Sequence, residues 1–310
     1  MPLGKGLLSG LAVVLLLAAC GPQSAASEGA EELQVVASMT VIAHFAEQVA
    51  GDAATVSSVV PVGGDPHVYE PVPSDARAID EADLVLHNGA GLEPWFAALV
   101  SGSGRKAVAM ADALADRVVD DPDGVPDPHL WMVPPKAAVY VEVIADAMAE
   151  ADPAKAEIYR DNAGAYTDRL TALDAELAAE LDRIPPDRKM LVTSHDAYTY
   201  FAEHYGFEVL GTVVGITTEE EPSARTVRLL VDEVRNAQVP TIFVETTVNP
   251  AVIEQIARDA DVEVGDPLYG DSLGEEGSGA DTYEAMMRAN VDALVSGLAP
   301  GNGSGGASGS

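Results

Sequence analysis

Short β-branched runs alternate along this chain with longer segments of helical period, the order expected when helices layer on parallel sheets in an α/β fold. The runs at 33–38, 56–60, 84–87, 107–110, 189–193, 208–210, 241–245 and 262–264 read as strands. Apolar positions three and four apart predict helices over 42–50, 74–81, 135–150, 197–205, 224–236 and 250–259. Between the two groups lies the longest uninterrupted helical pattern, 152–184. Asp152 is placed to cap it, Pro153 occupies its first position, and Pro185-Pro186 stops it. Its apolar stripe is read as Ile158, Tyr166, Leu170, Leu173, Leu177 and Leu181. The pattern thus predicts two βα sandwich lobes with parallel sheets, 33–151 and 185–299, joined by one long rigid helix over 152–184.

The ends of the chain carry a different pattern. Lys5, an apolar run over 7–19 and small residues before Cys20 form the layout of a secretory signal peptide, expected to occupy 1–19. The run is about 13 residues, short of the ~20 that a membrane-spanning helix needs. Cys20 is the chain's single cysteine, and an exported lone thiol is an oxidation liability unless something occupies it. Leu17-Ala18-Ala19-Cys20 resembles the bacterial lipobox, which implies cleavage before Cys20 and a lipid on its sulfur. Residues 20–32 then read as the lipidated end and a flexible tether, and 300–310, rich in Gly and Ser, as a disordered tail.

Charge removes one class of function. With 50 acidic against 17 basic residues and a net charge of -33, the chain has no basic run with which to displace counterions from phosphate, so nucleic-acid binding is excluded. The acidic excess supports solubility and little more.

The candidate chemistry lies in histidines. Of six in the chain, three sit in turn-like contexts after predicted strands: His67 in Asp65-Pro66-His67, His129 in Asp127-Pro128-His129, and His195 in Thr193-Ser194-His195-Asp196. Asp271, in Gly270-Asp271-Ser272-Leu273, is the candidate fourth group. In open α/β sheets the ligand crevice forms beyond the carboxyl ends of the strands, so such loops converge. Three imidazoles and a carboxylate suit Zn²⁺, and also Mn²⁺. The prolines beside His67 and His129 restrain the backbone there. Asp281 rivals Asp271 but suits the N-cap of a helix beginning at Thr282. His87 and Glu245, each ending a strand, are candidates to support a ligand from behind; Glu245 reads equally as a structural acceptor. His44 and His204 read as surface or packing residues, and Trp95 and Trp131 as core.

Asp65-Pro66-His67-Val68-Tyr69-Glu70-Pro71, the segment 82–89, Asp127-Pro128-His129-Leu130-Trp131, Phe243-Val244-Glu245 and Gly270-Asp271-Ser272-Leu273 together resemble the zinc and manganese solute-binding lipoproteins of ABC transporters. The resemblance covers nearly the whole mature chain. It implies two βα lobes, a linking helix, and one buried metal ion held at the lobe interface by His67, His129, His195 and Asp271. It further implies a monomer tethered by lipid on Cys20 that hands the ion to an ABC transporter permease. His195 stands where manganese-specific relatives often carry glutamate, which tilts toward zinc. Zinc specialists often carry a long His- and acid-rich loop that this chain lacks, and the Asp65-Pro66-His67 opening with the Asn88-Gly89 to Leu92-Glu93 stretch resembles the manganese or mixed branch. The metal, Zn²⁺ or Mn²⁺, therefore stays open at this point.

Two rivals remain: a secreted zinc hydrolase with Asp271 or Glu245 as base, which predicts turnover, and an adhesion lipoprotein, which needs a partner surface. No His-Glu-x-x-His motif occurs, which argues against a zinc hydrolase of that kind. The anchor has a direct test: Cys20→Ala should shift the protein from the membrane fraction into the medium, and retention on the membrane would contradict the lipid reading.

Overall fold

In the computed structural model, residues 32–121, 124–219 and 222–300 are described. The signal segment, Cys20, the tether through residue 31 and the tail from 301 lie outside them. The N-terminal half is built on four parallel strands, β1 (Leu33–Ala37), β2 (Ala54–Ser58), β3 (Leu84–His87) and β4 (Ala107–Ala109), in the order β2-β1-β3-β4. The C-terminal half pairs β5 (Met190–Thr193) with β6 (Glu208–Thr212) and β7 (Thr241–Ile242) with β8 (Glu263–Val264), both in parallel. Phe243 N–H donates to Val192 O at 2.9 Å and ties the two pairs together. All eight strand positions follow from the β-branched runs. The strand expected to reach Glu245 is regular only to Ile242; Glu245 keeps an isolated bridge to Leu268 while its side chain turns to the site.

The helices are α1 (Thr40–Ala50), α2 (Pro73–Glu81), α3 (Pro94–Ser103), α4 (Pro134–Ala151), α5 (Ala156–Leu181), α6 (Thr199–Tyr205), α7 (Ala224–Ala237), α8 (Ala251–Ala260) and α9 (Tyr283–Leu298). α1 is buried on nearly every side, as expected of a helix apolar all round. α3 is absent from the sequence reading because the continuous apolar run Trp95 to Val100 has no period to detect. α9 is capped by Thr282, whose hydroxyl accepts from Ala285 N–H at 3.2 Å, and not by Asp281, which instead accepts from Gly277 N–H at 2.9 Å.

The long central helix is shorter than its pattern suggested. Asp152 caps a single 3₁₀ turn at Pro153–Lys155, accepting from Ala154 N–H, and the α-helix proper runs over 26 residues, about 39 Å. Its buried stripe is Tyr159, Ala163, Tyr166, Leu170, Leu173, Leu177 and Leu181; Ile158 is 48% exposed and belongs to the outer face. That stripe packs against α1, α4 and α9. One contiguous apolar cluster runs from β1 and α1 through α4 and α5 to Phe243 and α9, so both halves share it. Smaller clusters lie on the far face of each half's strands.

The stripe assignment predicts a contrast. Leu170→Ala should destabilise the protein by about 2–5 kcal/mol, read as a lower urea midpoint, because a fully buried side chain leaves a cavity. Ile158→Ala should stay within about 0.5 kcal/mol. Equal losses at the two positions would contradict the observed facing of the helix.

Candidate metal centre

The two Asp-Pro-His segments fold into the same local turn. In each, the aspartate accepts the backbone N–H of the histidine two residues on, Asp65 Oδ1 from His67 at 2.8 Å and Asp127 Oδ1 from His129 at 2.9 Å. The intervening proline carbonyls are also held: Trp95 Nε1 donates to Pro66 O at 2.7 Å and Asn88 Nδ2 to Pro128 O at 3.0 Å. His67 thus sits in the loop from β2 to α2, and His129 just before α4. His195 follows β5 by two residues, its N–H donating to Glu245 Oε1 at 2.8 Å.

Asp271 lies in the loop after β8, fastened from both sides. Trp131 Nε1 donates to Gly270 O at 3.0 Å, Gly63 N–H to Ser272 Oγ at 2.8 Å, and Leu273 N–H to Thr40 Oγ1 at 3.0 Å. Gly270 is required by close approach: a Cβ there would stand 3.0 Å from Glu245 Oε2 and 3.6 Å from His195 Cε1.

These loops bring His67, His129, His195 and Asp271 together as a buried group with one candidate ligand atom each, all within 4.8 Å of one another. His129 Nε2 is 3.3 Å from His67 Nε2 and 3.3 Å from His195 Nε2. Asp271 reaches His195 Nε2 at 3.2 Å, His129 Nε2 at 3.5 Å and His67 Nε2 at 3.8 Å. A tetrahedron with its centre about 2.0–2.1 Å from each corner has edges of about 3.3 Å; both His129 separations match that length, and those from the Asp271 oxygens run from 3.2 to 3.8 Å. Neither carboxylate oxygen of Asp271 has a hydrogen-bond partner, although the residue is fully buried. A buried anion of this kind needs a neighbouring positive charge, which a protonated His195 3.2 Å away or a bound cation can supply.

The outward nitrogens are fixed by carboxylates. Asp127 Oδ1 lies 2.8 Å from His129 Nδ1, so an Nδ1–H there leaves the lone pair on Nε2, aimed at the centre. Glu245 Oε2 lies 2.7 Å from His195 Nδ1, in ion-pair contact though out of line for a hydrogen bond. Sequence reasoning had Glu245 as a candidate support and missed Asp127, whose only signal was its place in the repeated Asp-Pro-His. His87 is elsewhere: it stacks on Phe96 at 5.3 Å and faces Glu93 at 3.9 Å, with no recorded contact to the four among the described residues. Trp131 is fully buried as expected, and Trp95 works as a donor to the His67 loop as well as a packing residue. His204 pairs with Asp174 at 2.8 Å on the surface, and His44 is buried beside Glu284 at 3.5 Å.

Protonation within the group is divided. Burial, only partly opposed by Asp271, drops the His67 imidazolium to a pKa of about 3. Burial works against charge on His195 too, but Glu245 and Asp271 together outweigh it and raise its pKa well above the ordinary value. Burial alone would raise Asp271; His195, then His67 and His129, outweigh it and hold the carboxyl well below the usual range.

Comparison with known proteins agrees with the geometry. Residues 35–297 match the model of the family described as zinc-uptake complex component A, periplasmic. The chain is 38% identical over 290 residues to the manganese-binding lipoprotein MntA of Halalkalibacterium halodurans, covering 93% of this chain and 96% of that one. It is 34% identical over 299 residues to the metal ABC transporter substrate-binding lipoprotein SsaB of Streptococcus sanguinis, covering 93% and 96%. The periplasmic zinc binding protein TroA from Treponema pallidum superposes with a TM-score of 0.82 at 28% identity, over 86% of this chain and 98% of that one. A Mn-bound periplasmic metal binding protein from Candidatus Liberibacter asiaticus does so at 0.77 and 28% identity, over 85% and 98%. The fold and the histidine-carboxylate group define a two-lobed α/β protein of the metal-binding solute-receptor class. The chain belongs to the zinc-uptake complex component A family.

The buried imidazoles set a pH dependence for the chelator-treated protein. His67 titrates lower in the folded chain than in the unfolded one, so the unfolded chain takes up more protons between about 6.5 and 3. Stability should therefore fall as pH drops through that window. His195 acts oppositely, its contribution complete below about 6.5 and lost as pH rises through its raised folded value. Urea midpoints for the wild type and His67→Gln across pH 4–7 test this; a variant with an undiminished slope would refute the assignment to His67.

Proposed function

We propose that this protein captures one divalent transition-metal ion, Zn²⁺ or Mn²⁺, between His67, His129, His195 and Asp271 and delivers it to the permease of an ABC importer. The observation that carries the reading is the set of ligand separations around 3.3 Å about a buried carboxylate without donors. The relatives named as manganese-binding and metal ABC transporter substrate-binding lipoproteins support the same cargo class and the same acceptor. A monomer anchored outside the cell by lipid on Cys20 fits the capture role, because tethering keeps the ion near the permease.

The protein's own groups account for how an ion would be gripped. Asp127 and Glu245 orient His129 and His195 so that each presents Nε2, and Asp271 supplies negative charge against the bound cation. Four protein ligands close a tetrahedral sphere, whereas hydrolytic zinc sites keep one position open for water. Binding without chemical conversion follows, and the hydrolase reading loses its reactive position. Since the proton favoured on His195 must leave for the ion to enter, affinity falls as pH is lowered.

Elemental analysis should find one ion per chain. At a thousand times Kd the ion should add about 4 kcal/mol to stability, seen as a higher Tm. His67→Ala and His195→Ala should each lower affinity by more than the ~10–100-fold expected for Glu245→Gln. In direct competition Zn²⁺ should displace Mn²⁺, following the general order of affinities for nitrogen and oxygen donors. A metal-dependent Tm shift unchanged in both histidine variants would refute the site.

A further inference from the structure

A cavity of about 940 Å³ opens between α7, α8 and the segment that follows β6. Two residues on its wall stand next to the metal group: Ser194, adjacent to His195, and Asp65, two residues before His67. Thr218 lines the same cavity and donates through Oγ1 to Asp65 Oδ2 at 2.6 Å. Among the described residues, this is the one hydrogen bond from 213–219 to the N-terminal half. The other backbone bonds of the segment, Val213 N–H to Thr193 O, Val214 N–H to Ser194 O and Asp196 N–H to Gly215 O, stay within the C-terminal half.

The two oxygens of Asp65 have separate tasks. Oδ1 accepts His67 N–H at 2.8 Å and so fixes the backbone of a ligand-bearing residue, while Oδ2 accepts the Thr218 hydroxyl. Any outward movement of Thr218 therefore pulls on the carboxylate that sets the place of His67. Other hydrogen bonds across the two halves join His129 to His195 and hold the Asp271 loop, Trp131 and Tyr200, and none of the residues making them lines this cavity.

We infer that Asp65 and Thr218 form a latch across the cleft that sets the rate at which the ion leaves, and that the ion departs on the side of this cavity. The pair are positioning residues: they act through His67 and do not bind the ion. The inference rests on the metal reading of His67, His129, His195 and Asp271.

The test is the rate of ion transfer from the loaded full-length protein to an excess of a chromogenic chelator, with Mn²⁺ and Zn²⁺ each as probe. Thr218→Val keeps the shape of a half-buried side chain and deletes the hydroxyl. It should release the ion about tenfold faster, the worth of one hydrogen bond to a carboxylate, with one ion still bound per chain and the Tm of the chelator-treated protein lowered by only a few degrees. Thr218→Ser should restore the wild-type rate. Release by Thr218→Val within twofold of wild type, or release by Thr218→Ser as fast as by Thr218→Val, overturns the latch. Failure of the wild-type protein to bind any ion would instead overturn the metal reading beneath it, so the two failures are distinguishable.

Discussion

Three imidazole nitrogens and a carboxylate stand a few ångströms apart in a place that water does not reach, and this confinement governs the rest of the molecule. Burial keeps His67 neutral, and the buried Asp271 stays ionised only because His195, His67 and His129 lie against it. Such a group persists only if the surrounding chain leaves it no freedom to relax. The restraints are correspondingly dense: an aspartate closing each Asp-Pro-His turn, a donor on each proline carbonyl, Glu245 gripping both the backbone and the ring side of His195, and Trp131 clamped to the carbonyl before Asp271. The same restraints would leave little to reorganise if a cation entered the group.

Much of this arrangement was legible in the sequence because it is local. An aspartate two residues before a histidine, with proline between, can form only a few turns, and both copies form the same one. Strands β1, β3 and β5 were legible because largely buried apolar, β-branched runs have few alternatives. What could not be read depends on distant contacts. Whether Ile158 or Tyr159 faces inward is decided by where α1 and α4 lie against α5, and both choices satisfy a helical period. The division between Asp127, which reaches the histidine ring, and Asp65, which turns to Thr218 instead, concerns two identical tripeptides. Tertiary surroundings alone separate their roles. His87, at a strand end like Glu245, lies against Phe96 because α3 covers it, and α3 carried no periodic signal.

The closed character of the site bears on which use of a metal it would suit. A catalytic ion must expose a coordination position and have a base within reach of the water it activates. Here the carboxylates nearest the rings, Asp127 and Glu245, stand behind the imidazoles and face away from the centre. They are placed to set ligand orientation, which serves retention and selectivity.

Retention raises the opposite problem, which is release. The apolar cluster that includes α1, α4, α5 and α9 passes through both halves without interruption, and opening the molecule as two rigid bodies would tear it. Exposing buried aliphatic and aromatic side chains costs roughly 25 cal/mol for each Å² of apolar surface, so a wide hinge motion about α5 is disfavoured compared with movement of loops. The ligand-bearing loops differ in how they are held. Those of His129 and Asp271 are tied through Trp131 and Tyr283 into the shared core, whereas the loop of His67 meets the C-terminal half through small polar contacts at Gly63 and Asp65. Hydrogen bonds of that kind break at far lower cost than a packed core. The physical asymmetry of the cage therefore assigns holding to the side built on aromatic packing and yielding to the side built on hydroxyl and carboxylate contacts.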